Sequence, residues 1–208
     1  MGGDKGEGEM KHFNSGNVWG RVANCKLQKS DQGTPYLQIQ FECSNELFGN
    51  IKTYGRLWGQ DKIDAFIDYF KKHPGQSFRF KGFFSQYDKE EGQRYSNYTF
   101  FEWQPVDGKE FRAAFVLTGE VTAVEEVNGE GKIYLHLLRE GRGEYRDIEE
   151  DFEVYTLNVQ EIAGINEGDI LQVKGVMRAK EPEDYFGMPS GVIKPYVSEL
   201  KLMGRVRD

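Results

Sequence analysis

The sequence predicts an all-β protein with short helices, built as two tandem five-stranded units. Three observations carry that expectation. Apolar and polar residues alternate with period two along most of the chain, as half-buried strands require. A single strongly amphipathic helical segment interrupts the strands of the first half. The order of segments then recurs in the second half, with Gly20 echoed at Gly119 and Gly82 at Gly175.

The first strand is Val18–Ala23, and the second, Tyr36–Cys43, places Leu37, Ile39, Phe41 and Cys43 on one face. The third is Ile51–Trp58. Along Gln60–Lys72 the apolar residues Ile63, Phe66, Ile67 and Phe70 fall at i, i+3, i+4 and i+7, the stripe of a helix. Asp61 and Asp64 near its start and Lys71 and Lys72 near its end suit the helix dipole, and Pro74-Gly75 stops it. Strands follow at Ser77–Tyr87 and Arg94–Trp103. The second half offers strands at Phe115–Val121, Lys132–Arg139 and Glu153–Val159, a short helix or turn at Gln160–Ala163, and a strand at Gly168–Val176. The acidic run Glu144–Asp151 reads as a solvated loop. Glycines within the first and fourth strands suit tightly coiled strands that bend sharply. Five strands with a helix between the third and fourth is the plan of the OB-fold, a small Greek-key barrel. The expected organisation is a tail over 1–15, a first OB-fold over 16–106 and a second over 107–208. Pro105–Lys109 forms the junction, and the halves are expected to be separable there provided that Trp103 is not buried between them.

The net charge of -7 hides a division. Residues 16–106 carry 12 basic and 10 acidic groups, whereas residues 107–208 carry 13 and 21. Of the 29 aromatic residues, 19 lie in 16–106, so the halves differ in kind. Cys25 and Cys43 lack metal-ligand spacing, and His12, His73 and His136 are scattered, so no metal, cofactor or disulfide is expected. No apolar run approaches the ~20 residues that span a bilayer. The N-terminus lacks the apolar stretch of a signal peptide, and the expected location is the cytoplasm.

In the block Ala65-x4-Phe70-Lys71-Lys72-x2-Gly75-x2-Phe78-x-Phe80-x-Gly82, together with Gly20-Arg21-Val22, the chain resembles the bacterial single-stranded DNA-binding protein family. The resemblance covers most of 16–103 and returns in weaker form at 115–204. It implies a DNA-coating role in replication or recombination, with proteins of those processes as partners. The glycine-rich tail with an acidic, phenylalanine-ended tip that typifies the family has no counterpart at Leu200–Asp208. Homo-oligomerisation stays open, since a duplication within one chain could replace it.

Strand alternation then proposes a binding face. Trp19 and Arg21 point outward from the first strand, and Lys52, Tyr54, Arg56 and Trp58 from the third. Arg79, Lys81, Phe83 and Tyr87 do so from the fourth. Rings interleaved with cations can stack unpaired bases and meet phosphates. A solvated barrel exterior would instead carry few large rings. Lys174 and Arg178 are the second half's candidates, with Tyr134 and Tyr155 as ring contacts.

Alternative readings use the same face: a protein-interaction module whose aromatic side is buried against a partner, or a binder of single-stranded RNA. Catalysis is not expected. Asp61, Asp64 and Asp68 are simply the solvent side of the helix, and Gly141-Arg142-Gly143 lacks the rest of a phosphate loop.

Overall fold

The computed structural model describes residues 12–45, 47–89, 93–108, 112–139, 147–179 and 193–205. The first half comprises β1 (Phe13–Lys29), β2 (Pro35–Asn45), β3 (Gly49–Trp58), α1 (Gln60–Lys72), β4 (Ser77–Lys89) and β5 (Gln93–Val106). The second comprises β6 (Arg112–Val127), β7 (Glu130–Arg139), β8 (Ile148–Thr156), a single 3-10 turn (Val159–Ile162), β9 (Asp169–Ala179) and β10 (Ile193–Arg205). The all-β expectation holds, and α1 occupies the span that its apolar stripe predicts. No helix among the described residues is long and apolar enough to cross a membrane.

Strand pairing closes two rings. In the first, β1 pairs with β2, β2 with β3, β3 in parallel with β5, β5 with β4 and β4 back with β1. This is the OB-fold order. In the second, β6, β7, β8, β10 and β9 repeat the cycle, again with one parallel step, Tyr196 beside Tyr155.

The irregularities repeat as well. The β1–β2 register shifts between Val22 and Asn24, and the β6–β7 register between Val121 and Ala123, 99 residues further on. The β4–β5 bulge at Lys81/Gly82 has its counterpart where Lys174 and Gly175 face β10, 93 residues on. The glycines at these places are required by close approach rather than by backbone angle. A Cβ on Gly82 would stand 1.8 Å from the Thr99 carbonyl oxygen, and one on Gly175 2.4 Å from that of Tyr196.

The rings share one sheet and one core. β1 pairs antiparallel with β6 from Phe13–Thr118 to Trp19–Arg112. Gly16 sits opposite Phe115, its own counterpart at the 99-residue offset, so the seam has a local pseudo-two-fold centre. Phe84 of the first ring stacks on Phe115 at 4.5 Å and on Phe152 at 5.5 Å. Gln86 closes the contact on one side, donating to the Glu153 carbonyl and accepting from the Glu153 N–H. The buried apolar residues accordingly form one continuous cluster that runs through both halves.

One sequence expectation changes. The acidic stretch before the second half's third strand is not all loop, because β8 starts at Ile148 and its acidic residues lie in strand register opposite β7. Trp103 packs on α1, against Phe66 and Tyr69, and donates its indole N–H to the Lys62 carbonyl.

Candidate nucleic-acid interface

β2 and β3 run side by side with Tyr36 opposite Trp58, Gln38 opposite Arg56 and Gln40 opposite Tyr54. Period-two alternation puts these six side chains on the outer face of the ring. The Tyr36 and Trp58 rings lie 4.9 Å apart, and the Tyr36 hydroxyl donates to Gln28 Oε1. The Arg56 guanidinium sits 4.9 Å from the Tyr36 ring centre and 5.2 Å from that of Tyr87. It donates from Nη2 to the Tyr87 hydroxyl at 2.7 Å and from Nε to Gln38 Oε1 at 3.3 Å. Tyr87 in turn stacks on Tyr95, its partner across the β4–β5 ladder. Those hydrogen-bond partners are neutral, so neither offsets the positive charge of the guanidinium among the rings. Lys52 is exposed at the far end of the same strand face.

Tyr54 departs from the expectation. It points outward in register with Arg56, yet it is completely buried, and its hydroxyl accepts from Gln40 Nε2 at 2.9 Å. The second half covers this part of the sheet: β9 lies against β3, and Tyr196 packs edge-on against Phe48. Tyr54 is a core residue and offers no ring to a ligand. Tyr36, itself buried, and the half-buried Tyr95 complete the cluster and were not among the expected site residues. Tyr36 could have been found by extending the alternation test to β2, where it heads the polar face of Gln38 and Gln40.

The remaining candidates fall elsewhere. Trp19, Arg79 and Lys81 stand on the outer face of β1 and β4 beside the seam, with Arg21 exposed two residues beyond Trp19. Lys81 is paired with Glu102 at 3.1 Å, and Phe83 lies under the Arg139 guanidinium. Lys174 is on β9 facing Glu199, while Arg178 lies over the Phe48 ring at 4.7 Å. Lys180 and the loop residues Glu144–Arg146 lie outside the described residues.

The second ring carries a corresponding face with different electrostatics. Lys132 stands where Gln38 stands, between Glu125 and Tyr155, as Gln38 stands between Lys26 and Arg56. Its ammonium lies 4.3 Å from the Tyr134 ring centre but is held by Glu153 at 3.1 Å and Glu125 at 3.6 Å. Burial opposes the charge on Lys132, and hydrogen bonds with Tyr134 and Glu153 outweigh it, so its pKa rises above the ordinary lysine value. Lys194, 4.5 Å from the Tyr155 ring centre, pairs with Glu130 at 2.8 Å. Burial and the hydrogen bond to Glu130 push the Tyr196 hydroxyl up to about 12. Rings and cations are present here too, but carboxylates already occupy the cations.

No protein-family model matches the chain, and no curated protein is similar to it in sequence. Solved structures do resemble it. Wild-type single-stranded DNA-binding protein from Thermus aquaticus superposes with a TM-score of 0.59 at 16% identity, over 96% of this chain and 97% of that one. A deletion mutant of the same protein gives 0.55 at 16% identity, over 95% and 97%. At that identity the likeness is one of fold, and it extends over both rings.

Proposed function

We propose that this protein binds single-stranded DNA with little sequence preference, as a coating protein of replication or recombination. The first ring, residues 16–106, is the primary binding unit, and the second, 107–208, is auxiliary. The observation that carries this reading is the cluster of Tyr36, Arg56, Trp58 and Tyr87. Trp58 and Tyr87 line the surface around a guanidinium whose hydrogen-bond partners are neutral, while the Tyr36 ring packed against Trp58 and Arg56 is buried. Rings of this kind stack bases of any sequence, and each such contact is worth about 1–3 kcal/mol. The cation adds phosphate attraction that salt weakens. The Thermus aquaticus likeness supports the reading through the fold it shares. Binding rather than catalysis is the role proposed, in the cytoplasm.

The test is a titration of intrinsic tryptophan fluorescence with oligo-dT, oligo-rU and duplex DNA. Tight binding of oligo-dT with weak binding of duplex supports the proposal. Preference for oligo-rU would move the assignment to RNA, and binding of none of the three would overturn it.

A further inference from the structure

A second group of cations lies at the seam between the rings, away from the Arg56 cluster. Trp19 pairs across the β1–β4 ladder with Arg79 and across the β1–β6 ladder with Arg112. Its indole ring therefore has one guanidinium from each half over it, at 5.0 Å from the ring centre for Arg79 and 4.2 Å for Arg112. Among the described residues the buried Arg79 Nε–H has no hydrogen-bond acceptor, a donor of the sort that a bound anion satisfies. Arg112 and Arg21 are exposed on the same side of the sheet.

Strand β4 connects this group to the primary face. Tyr87, Phe83, Lys81 and Arg79 share one side of it by alternation, with Tyr87 touching Arg56 at one end and Arg79 beside Trp19 at the other. Eight residues of strand span about 27 Å at ~3.4 Å per residue. Such a stripe is long enough for a strand held at Arg56 to continue across the ring.

We propose that Trp19, Arg79 and Arg112 form a second seat for the phosphodiester backbone, extending the path of a nucleic-acid strand from the Arg56 face onto the seam between the rings. Two arginines suit phosphate oxygens because their planar donor forks match that geometry. The indole carries both guanidinia over its ring and so holds the two forks together. This inference rests on the DNA-binding reading and lengthens its site.

The experiment compares the full chain with its Arg79→Gln/Arg112→Gln variant on two ligands. One is an oligo-dT of about 8 nucleotides, the size of one OB-fold site, and the other is of about 35, enough for both. Short-oligomer affinity should be unchanged. Long-oligomer affinity should fall about 10-fold at 0.1 M salt, and its log–log salt slope should become shallower by about 1.4, from about 0.7 per lost phosphate contact. Arg112→Gln alone, at an exposed position, should give about half that change in slope, and Arg112→Lys should restore it; these single variants keep the test valid if the double variant fails to fold. Unchanged affinity and slope for the long oligomer, in a variant with the parent's thermal midpoint, would overturn the seat and leave the primary face standing. A change of oligomeric state without any change in binding would overturn it too, assigning the face to a second copy of the chain. If the parent chain binds neither oligomer, the DNA-binding reading fails, and the seat with it.

Discussion

Tyr54 and Trp58 stand four residues apart on one strand face, and the structure gives them opposite roles. Trp58 is partly exposed against Tyr36, whereas Tyr54 is wholly interior, with its hydroxyl hydrogen-bonded to Gln40. Alternation fixes which way a side chain leaves the strand and is silent on what arrives to cover it. That is why Arg56 and Trp58 were legible in the sequence as surface groups and the burial of Tyr54 was not. Tyr54→Phe should leave oligo-dT affinity within error of the parent and cost about 0.5–1.5 kcal/mol of stability through the lost hydrogen bond. Tyr54→Ala should cost about 3–5 kcal/mol, the usual range for emptying a buried aromatic site. Denaturant unfolding checks both, and a large loss of affinity in a fully folded Tyr54→Phe protein would return the residue to the binding face.

Among the elements, α1 and the cores of β2, β4 and β7 follow directly from their apolar spacing. The start of β8 does not, because Glu149, Glu150 and Asp151 present three consecutive charges where alternation has nothing apolar to report. Pairing with β7 creates that segment of strand, and the Arg139–Glu150 ion pair and the His136–Asp151 hydrogen bond hold it. The bulge glycines were legible as residues, but the reason for them was not. At Gly82 the added methyl of Gly82→Ala would meet the Thr99 backbone, which cannot rotate away, so overpacking of at least about 1–3 kcal/mol is expected. A thermal midpoint equal to the parent's would refute that reading of the bulge.

The β9–β10 ladder ends on Asp169, whose carboxylate accepts from Arg205 Nε at 2.6 Å and from the Asn166 N–H. The Arg205 contact, followed by the Asn166 hydrogen bond, holds the Asp169 carboxyl below its ordinary pKa. A folded-state pKa lowered in this way contributes stability above the ordinary carboxylate value, and that contribution is lost as pH falls through the folded value. Asp169→Asn should therefore lower the thermal midpoint at pH 7, with the gap to the parent closing toward acid pH. A gap that widens as pH falls would contradict the assignment.

At the scale of the molecule, the two rings were readable from repeated order and from glycines at matching offsets. Their fusion was not, since no pattern within one strand announces that β1 will take β6 as a second neighbour. Phe84 reads in sequence as a core residue of its own half, but its ring lies on Phe115 and Phe152 of the other. Cutting at the junction would expose those rings and the β1 edge together. Residues 1–106 and 107–208 expressed separately should consequently be aggregation-prone or poorly cooperative in unfolding, contrary to the separability that composition suggests. Two soluble halves, each with a sharp unfolding transition, would show that the seam is dispensable. The proposed division of labour rests on charge compensation. The first ring leaves Arg56 among rings and neutral acceptors, while the second holds Lys132 and Lys194 on Glu153, Glu125 and Glu130.

The most direct test of the central claim is oligo-dT affinity of an Arg56→Gln/Trp58→Ala variant, measured beside the parent with thermal midpoints recorded for both. The first ring's face predicts a loss of about 2–4 kcal/mol, the sum of one stacked base and one charge-assisted contact, and a salt slope shallower by about 0.7. Parental affinity and slope in a folded double variant would contradict the claim and place the binding surface elsewhere on the molecule.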